Sequence, residues 1–330
     1  MRYLVTGARG FVMSVLVERL LTAEPDAVVT AVDLHAPDDV LTASLAGHEG
    51  RVHHVRADVT DSAAMTDVLA RSAPDVVVHG ATVTHDPASE HHDPGRFVHV
   101  NTQGTTTVLD AARRTGGVRR VLLVSSGAVY GSSPLRLLTE DAPPAPDEMY
   151  GISKLAGELI ARRFGRLYGL DVPVARLTKM FGPMERPSSG RSVMSLPYHL
   201  AAAAVRNRPV RLTERTLRAG GDWLGAAEAA RALHLLARGE GRGDGTYNIS
   251  SGVRTSVPDL VALFGVETLQ VPAEEAEADM DPATESGKNG VYASDRARQE
   301  LTWEPAGLED QVARYVRWAR EHPGFFTADR

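Results

Sequence analysis

Along the first half of the chain, short unbroken apolar runs alternate with longer stretches whose apolar residues return every three or four positions. The short runs cover residues 3–6, 28–32 with Asp33 at the end, 52–57, 75–79 and 121–125. Strands apolar at successive positions are buried on both faces. The longer stretches, 11–22, the segment after Asp61, and 97–115, predict helices, with Asp61 as an N-cap. Repeated strand-then-helix order predicts a parallel sheet covered on both faces. Right-handed crossovers make this an α/β, doubly wound dinucleotide-binding sheet.

Residues 139–148 are rich in proline and acid and predict a loop. A long helix follows at 150–168, then a sixth strand at 172–177. Beyond residue 181 the pattern loosens, with helices expected at 197–206, 226–236 and 308–322. This divides the chain into a nucleotide-binding domain, residues 1–180, and a smaller substrate-binding lobe, residues 181–330, some of whose elements return to the first. The acidic stretch 273–285 reads as a solvated loop.

Composition narrows the function. The 330 residues are 43% apolar and 24% charged, ordinary for a soluble enzyme. A net charge of −6 with no basic stripe argues against nucleic acid as a partner. The absence of cysteine excludes disulfides and thiolate chemistry and fits a reducing compartment. No apolar stretch reaches the length of a membrane span. The first strand begins almost at residue 1, with no signal-peptide pattern, so a cytoplasmic location is expected.

Two local patterns carry chemistry. Thr6-Gly7-Ala8-Arg9-Gly10-Phe11 lies between the first strand and first helix. Gly7 and Gly10 would let a pyrophosphate approach the backbone at the helix N-terminus, over Phe11 and Val12. The third glycine of such a turn is replaced by Met13, which should push the helix slightly outward. Asp33 would accept hydrogen bonds from an adenosine ribose and repel a 2′-phosphate. Leu34 and His35 follow it, with no arginine, so NAD is expected over NADP. Asp58 and Val59 would flank the adenine, and Gly80, Ala81 and Thr82 the cofactor's middle. The second pattern joins Ser126 to Tyr150 and Lys154, the last two one helical turn apart. A lysine ammonium beside a tyrosine, with a positive nicotinamide, favours tyrosinate. Tyr150 could then take an alcohol proton while Ser126 orients the oxygen and Lys154 holds the nicotinamide ribose.

These residues resemble the extended short-chain dehydrogenase/reductase family, in its NAD-dependent epimerase/dehydratase branch, which includes UDP-galactose 4-epimerases. The resemblance spans nearly the whole chain: the TGxxGF start, Asp33, Asp58-Val59, His79-Gly80-Ala81, the Asn101-Thr102-Gln103-Gly104-Thr105 run, SSGAVYG, YGISK, Arg176 through Phe181-Gly182-Pro183, and Leu301-Thr302-Trp303-Glu304-Pro305. It implies a Rossmann fold, NAD as cofactor with Asn101 among its contacts, a sugar-like substrate and carbohydrate metabolism. It also implies a homodimer through a four-helix bundle built from 97–115 and 151–168, where Leu155, Leu159, Ile160 and Phe164 offer a second apolar face.

The expected substrate contacts are His85, Ser126, Gly127, Lys179, Arg186 and Arg191. The branch's dehydratases carry an acid pair where this chain has Gly127 and Ala128, so dehydration is not expected. Its sugar-nucleotide epimerases hold a diphosphate with an asparagine, where this chain has Lys179, and an arginine before an Asp-aromatic pair, where it has Gly221. They use a further arginine late in the chain, and the matching loop, 282–288, has none. Paired cationic donors suit a diphosphate, so a smaller or singly anionic substrate is expected. The segment from His85 to Asp93 carries metal-ligand types, but it reads as a proline-flanked loop bordering the substrate pocket, and no metal is expected. The expected activity is oxidation, or epimerisation, at a secondary alcohol of a sugar-like molecule. A UDP-sugar 4-epimerase is the alternative. A non-catalytic NAD-sensing protein is a third reading, disfavoured because a binding module has no need of Ser126, Tyr150 and Lys154 together.

Overall fold

The computed structural model describes residues 1–133, 135–242, 245–278, 280 and 290–326. The expected strands form β1 (Arg2–Thr6), β2 (Val28–Asp33), β3 (Val52–Arg56), β4 (Val76–His79) and β5 (Arg120–Ser126). They join Val174–Leu177 and Thr246–Ile249 in one seven-stranded sheet. Its spatial order is β3, β2, β1, β4, β5, Val174–Leu177, Thr246–Ile249, and every neighbouring pair is parallel. The winding reverses between β1 and β4, where doubly wound sheets open a crevice at the carboxyl ends of their strands.

Helices cover both faces. On one, α1 (Phe11–Ala23) packs beside Ala226–Arg238, and their leucines and alanines close over Val5, Val29 and Val78. On the other, Ser62–Ser72 and Gly104–Thr115 cover Leu4, Val77 and Val121. Asp61 caps the first of these through the Ala63 and Ala64 amides. The helix expected at 97–115 contains a π-helical stretch at Val98–Gln103.

The last strand of the large sheet and the helix packed on α1 both come from beyond residue 181. A separate core holds Phe181, Leu200, Trp223, Leu260, Phe264 and Tyr315. It packs on a small sheet of Lys179–Phe181, Gly220–Gly225 and Arg254–Ser256. Residues 87–92 are not a loop: they form a short helix capped by the Asp86 carboxylate, with Pro87 in its first turn, where a missing N–H costs nothing. Of the acidic stretch, Ala273–Glu275 is a 3-10 turn. Residue 279 and residues 281–289, including the loop 282–288, lie outside the described residues. Among the described residues no helix is long and apolar enough to cross a membrane.

Candidate active site

The carboxyl ends of the central strands open into one cavity of about 880 Å³. Its floor at one end is the turn after β1. Gly7 has φ +69°, and a Cβ there would stand 2.7 Å from the Ala81 Cα. A Cβ on Gly10 would stand 2.9 Å from the Gly7 carbonyl oxygen. No side chain caps α1, so its first amides face the cavity, where Phe11 and Val12 lie. This bare-backbone cradle at a helix N-terminus fits a pyrophosphate. Asp33 lines the same end and accepts from the Arg9 amide (3.0 Å) and the His35 amide (3.2 Å). Asp58, Val59, Gly80, Ala81 and Thr82 also line the cavity.

Met13 does not need to displace its helix. Its side chain is received by the bare backbone of Gly80. Asn101 stands apart from the cavity lining. It is buried, its Nδ2 donating to the Val83 carbonyl (3.0 Å) and Ser153 Oγ (2.9 Å), its Oδ1 accepting from the Val83 amide (2.8 Å). It therefore holds the segment after β4 against the long helix Met149–Tyr168. Gly127 is also off the cavity: it is buried beneath Tyr292, whose ring would meet a Cβ at 2.6 Å.

Ser126, at the end of β5, and Tyr150 and Lys154, on the first turns of Met149–Tyr168, converge on the cavity. Ser126 Oγ accepts from the Ala128 amide (3.2 Å) and lines the same cavity as Tyr150. Burial raises the Tyr150 pKa above the ordinary range. The neighbouring Ser126 hydroxyl and the Arg191 guanidinium oppose that rise, and Glu148 adds to it. Arg191 is thus a cation that favours ionised Tyr150. The Lys154 ammonium donates to the Val124 carbonyl at 2.6 Å, and burial lowers its pKa to about 8. Behind this set, His79 is buried between Thr6 Oγ1 (2.8 Å) and Thr105 Oγ1 (3.1 Å). Burial brings its pKa down to about 3, so it is neutral and rigid.

The expected substrate residues separate. His85, Ser126, Lys179, Arg186 and Arg191 line the cavity. Lys179 is paired in register with Trp223, and its Nζ lies 5.8 Å from that ring's centroid. Its stem covers Gly221, where a Cβ would meet Lys179 Cδ at 2.8 Å. Arg191 lies over the Phe11 ring (5.6 Å) and pairs with the fully buried Glu185. The Arg186 guanidinium is engaged within the protein, donating to Asp38 (2.9 and 3.1 Å) and the Arg9 carbonyl (3.2 Å). Arg9 also pairs with Asp38 at 3.1 Å. Arginines do stand at the adenosine end, then, but both are engaged by the one Asp38 carboxylate. A local reading of Leu34 and His35 had no way to find them.

Residues 184–195, which include the expected contacts Arg186 and Arg191, form a strap beside the cavity. It is fastened to β2's end by Arg186–Asp38 and by Ser189 Oγ with His35 Nε2 (3.0 Å). It is fastened beyond β4 by Thr84 N to the Gly190 carbonyl (2.8 Å) and Ser192 Oγ to Asp86 (2.7 Å).

The model of the NAD dependent epimerase/dehydratase family matches residues 3–250. A dTDP-glucose 4,6-dehydratase of Streptomyces griseus is 33% identical, over 97% of this chain and 94% of its own. A UDP-glucose 4-epimerase of Mycolicibacterium smegmatis is 32% identical, over 97% of this chain and 99% of its own. The crystal structure of DesIV, a dTDP-glucose 4,6-dehydratase from Streptomyces venezuelae with NAD and TYD bound, has a TM-score of 0.81 at 27% identity, covering 99% of each chain. That of a UDP-glucose 4-epimerase from Thermotoga maritima, with UDP-glucose, has a TM-score of 0.83 at 24% identity, covering 98% of this chain and 100% of the other, a likeness of fold. Dehydratases among the relatives remove the support for excluding dehydration, although positions 127 and 128 are glycine and alanine. The cofactor is NAD, and the chain is an enzyme that belongs to the NAD-dependent epimerase/dehydratase family.

Proposed function

We propose that this enzyme oxidises a secondary alcohol of a sugar-like substrate carrying at most one anionic group, and returns the hydride before product leaves. The observation that carries the reaction type is the convergence of Ser126, Tyr150 and Lys154 on one cavity. Bound NAD supplies the hydride acceptor. Tyr150 takes the alcohol proton, and Ser126 holds the same oxygen. Arg191 favours the tyrosinate that the proton transfer needs. Lys154, anchored on Val124, positions the nicotinamide ribose.

Return of the hydride is favoured by the strap. Its two sets of fastenings must open before a cofactor beneath it can exchange. A retained cofactor suits a redox-neutral cycle better than net dehydrogenation. The substrate class rests on Lys179, whose stem occupies the space over Gly221. One ammonium is a point charge, whereas a diphosphate is best met by a planar fork.

Tyr150→Phe is the first test: turnover should fall by about 100-fold or more with NAD binding nearly intact. Activity within about tenfold of wild type removes Tyr150 as the acid/base. Substrate class is tested by titrating the NAD-loaded protein with UDP-glucose, UDP-glucuronate and free sugar acids. The second reading, a nucleotide-sugar 4-epimerase, is favoured by the 32% identity to the mycobacterial UDP-glucose 4-epimerase. Micromolar binding of a UDP-sugar, with none for the small acids, promotes it.

A further inference from the structure

His85 lies six residues beyond β4 and lines the cavity that holds Ser126 and Tyr150. Its Nδ1 is 2.8 Å from Glu148 Oε2 and 3.8 Å from Glu90 Oε2. Nδ1 is itself buried, while the side chain as a whole is 39% exposed, so the accessible edge of the ring is the one that carries Nε2. The Nδ1–Glu148 contact is an ion-pair approach without hydrogen-bond alignment. Two carboxylates beside Nδ1 favour a proton there, which leaves the Nε2 lone pair toward the cavity. Glu148 caps the helix that carries Tyr150, two residues before it. Glu90 fixes the same helix start by accepting from the Met149 amide at 3.1 Å. The start of the tyrosine helix thus carries the carboxylate of a histidine–carboxylate pair whose histidine lines the same cavity as Tyr150. The positions after Ser126 offer none, being Gly127 and Ala128.

We propose that His85, backed by Glu148, is a second acid/base of this site, acting on the carbon next to the one oxidised. The inference rests on the oxidation reading above. Oxidation of the carbinol leaves a ketone, which acidifies the neighbouring C–H. Nε2 takes that proton, and the C–H electron pair moves into the carbonyl to form an enolate. The imidazolium is met by the Glu148 carboxylate. Return of a proton from Nε2 to the same face of that carbon restores the ketone with its configuration kept, and hydride return then regenerates the alcohol. No oxidant beyond the resident NAD is consumed.

The test places the NAD-loaded full chain in heavy water with UDP-glucose, dTDP-glucose, UDP-glucuronate, free hexoses and free uronic acids. Absorbance reads reduced cofactor, and mass spectrometry reads carbon-bound deuterium. Wild type should show both with at least one probe. In His85→Asn, deuterium uptake should fall about 100-fold further than reduced-cofactor formation does. Added imidazole should restore part of the uptake in His85→Ala. Glu148→Gln, checked for NAD binding, gives a second variant should His85→Asn misfold, and should show the same split. Equal loss of both signals means that His85 only positions the helix, and overturns the pair. Deuterium uptake at the wild-type rate in His85→Asn, or reduced cofactor without deuterium in wild type, overturns it too and leaves the oxidation reading standing. No reduced cofactor with any probe overturns that reading and the pair together.

Discussion

Met13 and Gly80 occupy one space. A Cβ placed on Gly80 would lie 2.5 Å from Met13 Cγ and closer still to its sulfur. The methionine where such turns carry a third glycine is thus matched by a glycine 67 positions later, at the end of β4. Gly80→Ala should overpack this contact and cost about 1–3 kcal/mol, with weaker NAD binding. The double variant Met13→Ala, Gly80→Ala should recover most of the loss. Additive losses in a denaturant-unfolding cycle would show that the two side chains do not compete.

Asp33 should make the protein prefer NAD over NADP by about tenfold or more, by repulsion of the 2′-phosphate. Arg9 and Arg186 stand nearby but are held by Asp38. Asp38→Asn should therefore raise NADP affinity more than NAD affinity. Calorimetry decides. Equal or tighter NADP binding by the wild type means that Asp33 does not face the ribose.

Glu158 is fully buried between Ser125 Oγ (2.6 Å) and the Arg176 guanidinium (2.7 and 3.0 Å), and Arg176 continues to the Tyr130 hydroxyl at 2.8 Å. This network ties the tyrosine helix to the strand end that carries Ser126. Arg176→Met leaves the buried carboxylate only the longer ion pair to Arg162 (3.5 Å) and should cost about 3–5 kcal/mol in chemical unfolding. A loss below about 1 kcal/mol would show that the pair relaxes to solvent.

Asp222 accepts from Ser251 Oγ (2.7 Å) and from the amides of Ser251, Gly252 and Tyr292, yet burial wins and raises its pKa to about 6. The folded state then holds a proton that the unfolded state releases near pH 4. The carboxyl's contribution to stability is greatest below about pH 4 and is lost as pH rises through about 6. Asp222→Asn should abolish this dependence. Its stability relative to wild type should improve between about pH 4 and 7, by on the order of 2 kcal/mol. A pH-independent difference would place the carboxyl pKa near its ordinary value.

A homodimer is expected through the paired helices Gly104–Thr115 and Met149–Tyr168. Their shared face leaves Leu159 54% and Leu167 50% exposed in the single chain. Leu159→Glu should dissociate it. A monomer mass for the wild type in solution scattering at micromolar concentration would end this expectation.

The sequence by itself determined the wound sheet, the glycine turn, and the Ser126, Tyr150 and Lys154 set. Each is written within one element or at one junction, where strand burial, a tight turn and helical spacing act over a few residues. Only the tertiary structure decided what stands across from what. Arg186 meets Asp38 across 148 positions, so an arginine that reads as a substrate contact becomes a latch beside the cofactor end. Lys179 fills the space over Gly221, which turns two separate departures into one exchange. Glu148, in a stretch that reads as a loop rich in proline and acid, is buried against His85. Such pairings arise when strand ends far apart in the chain are gathered at one edge of the sheet. Nothing local in the residues themselves records that approach, because the partners become neighbours only after the core between them has packed.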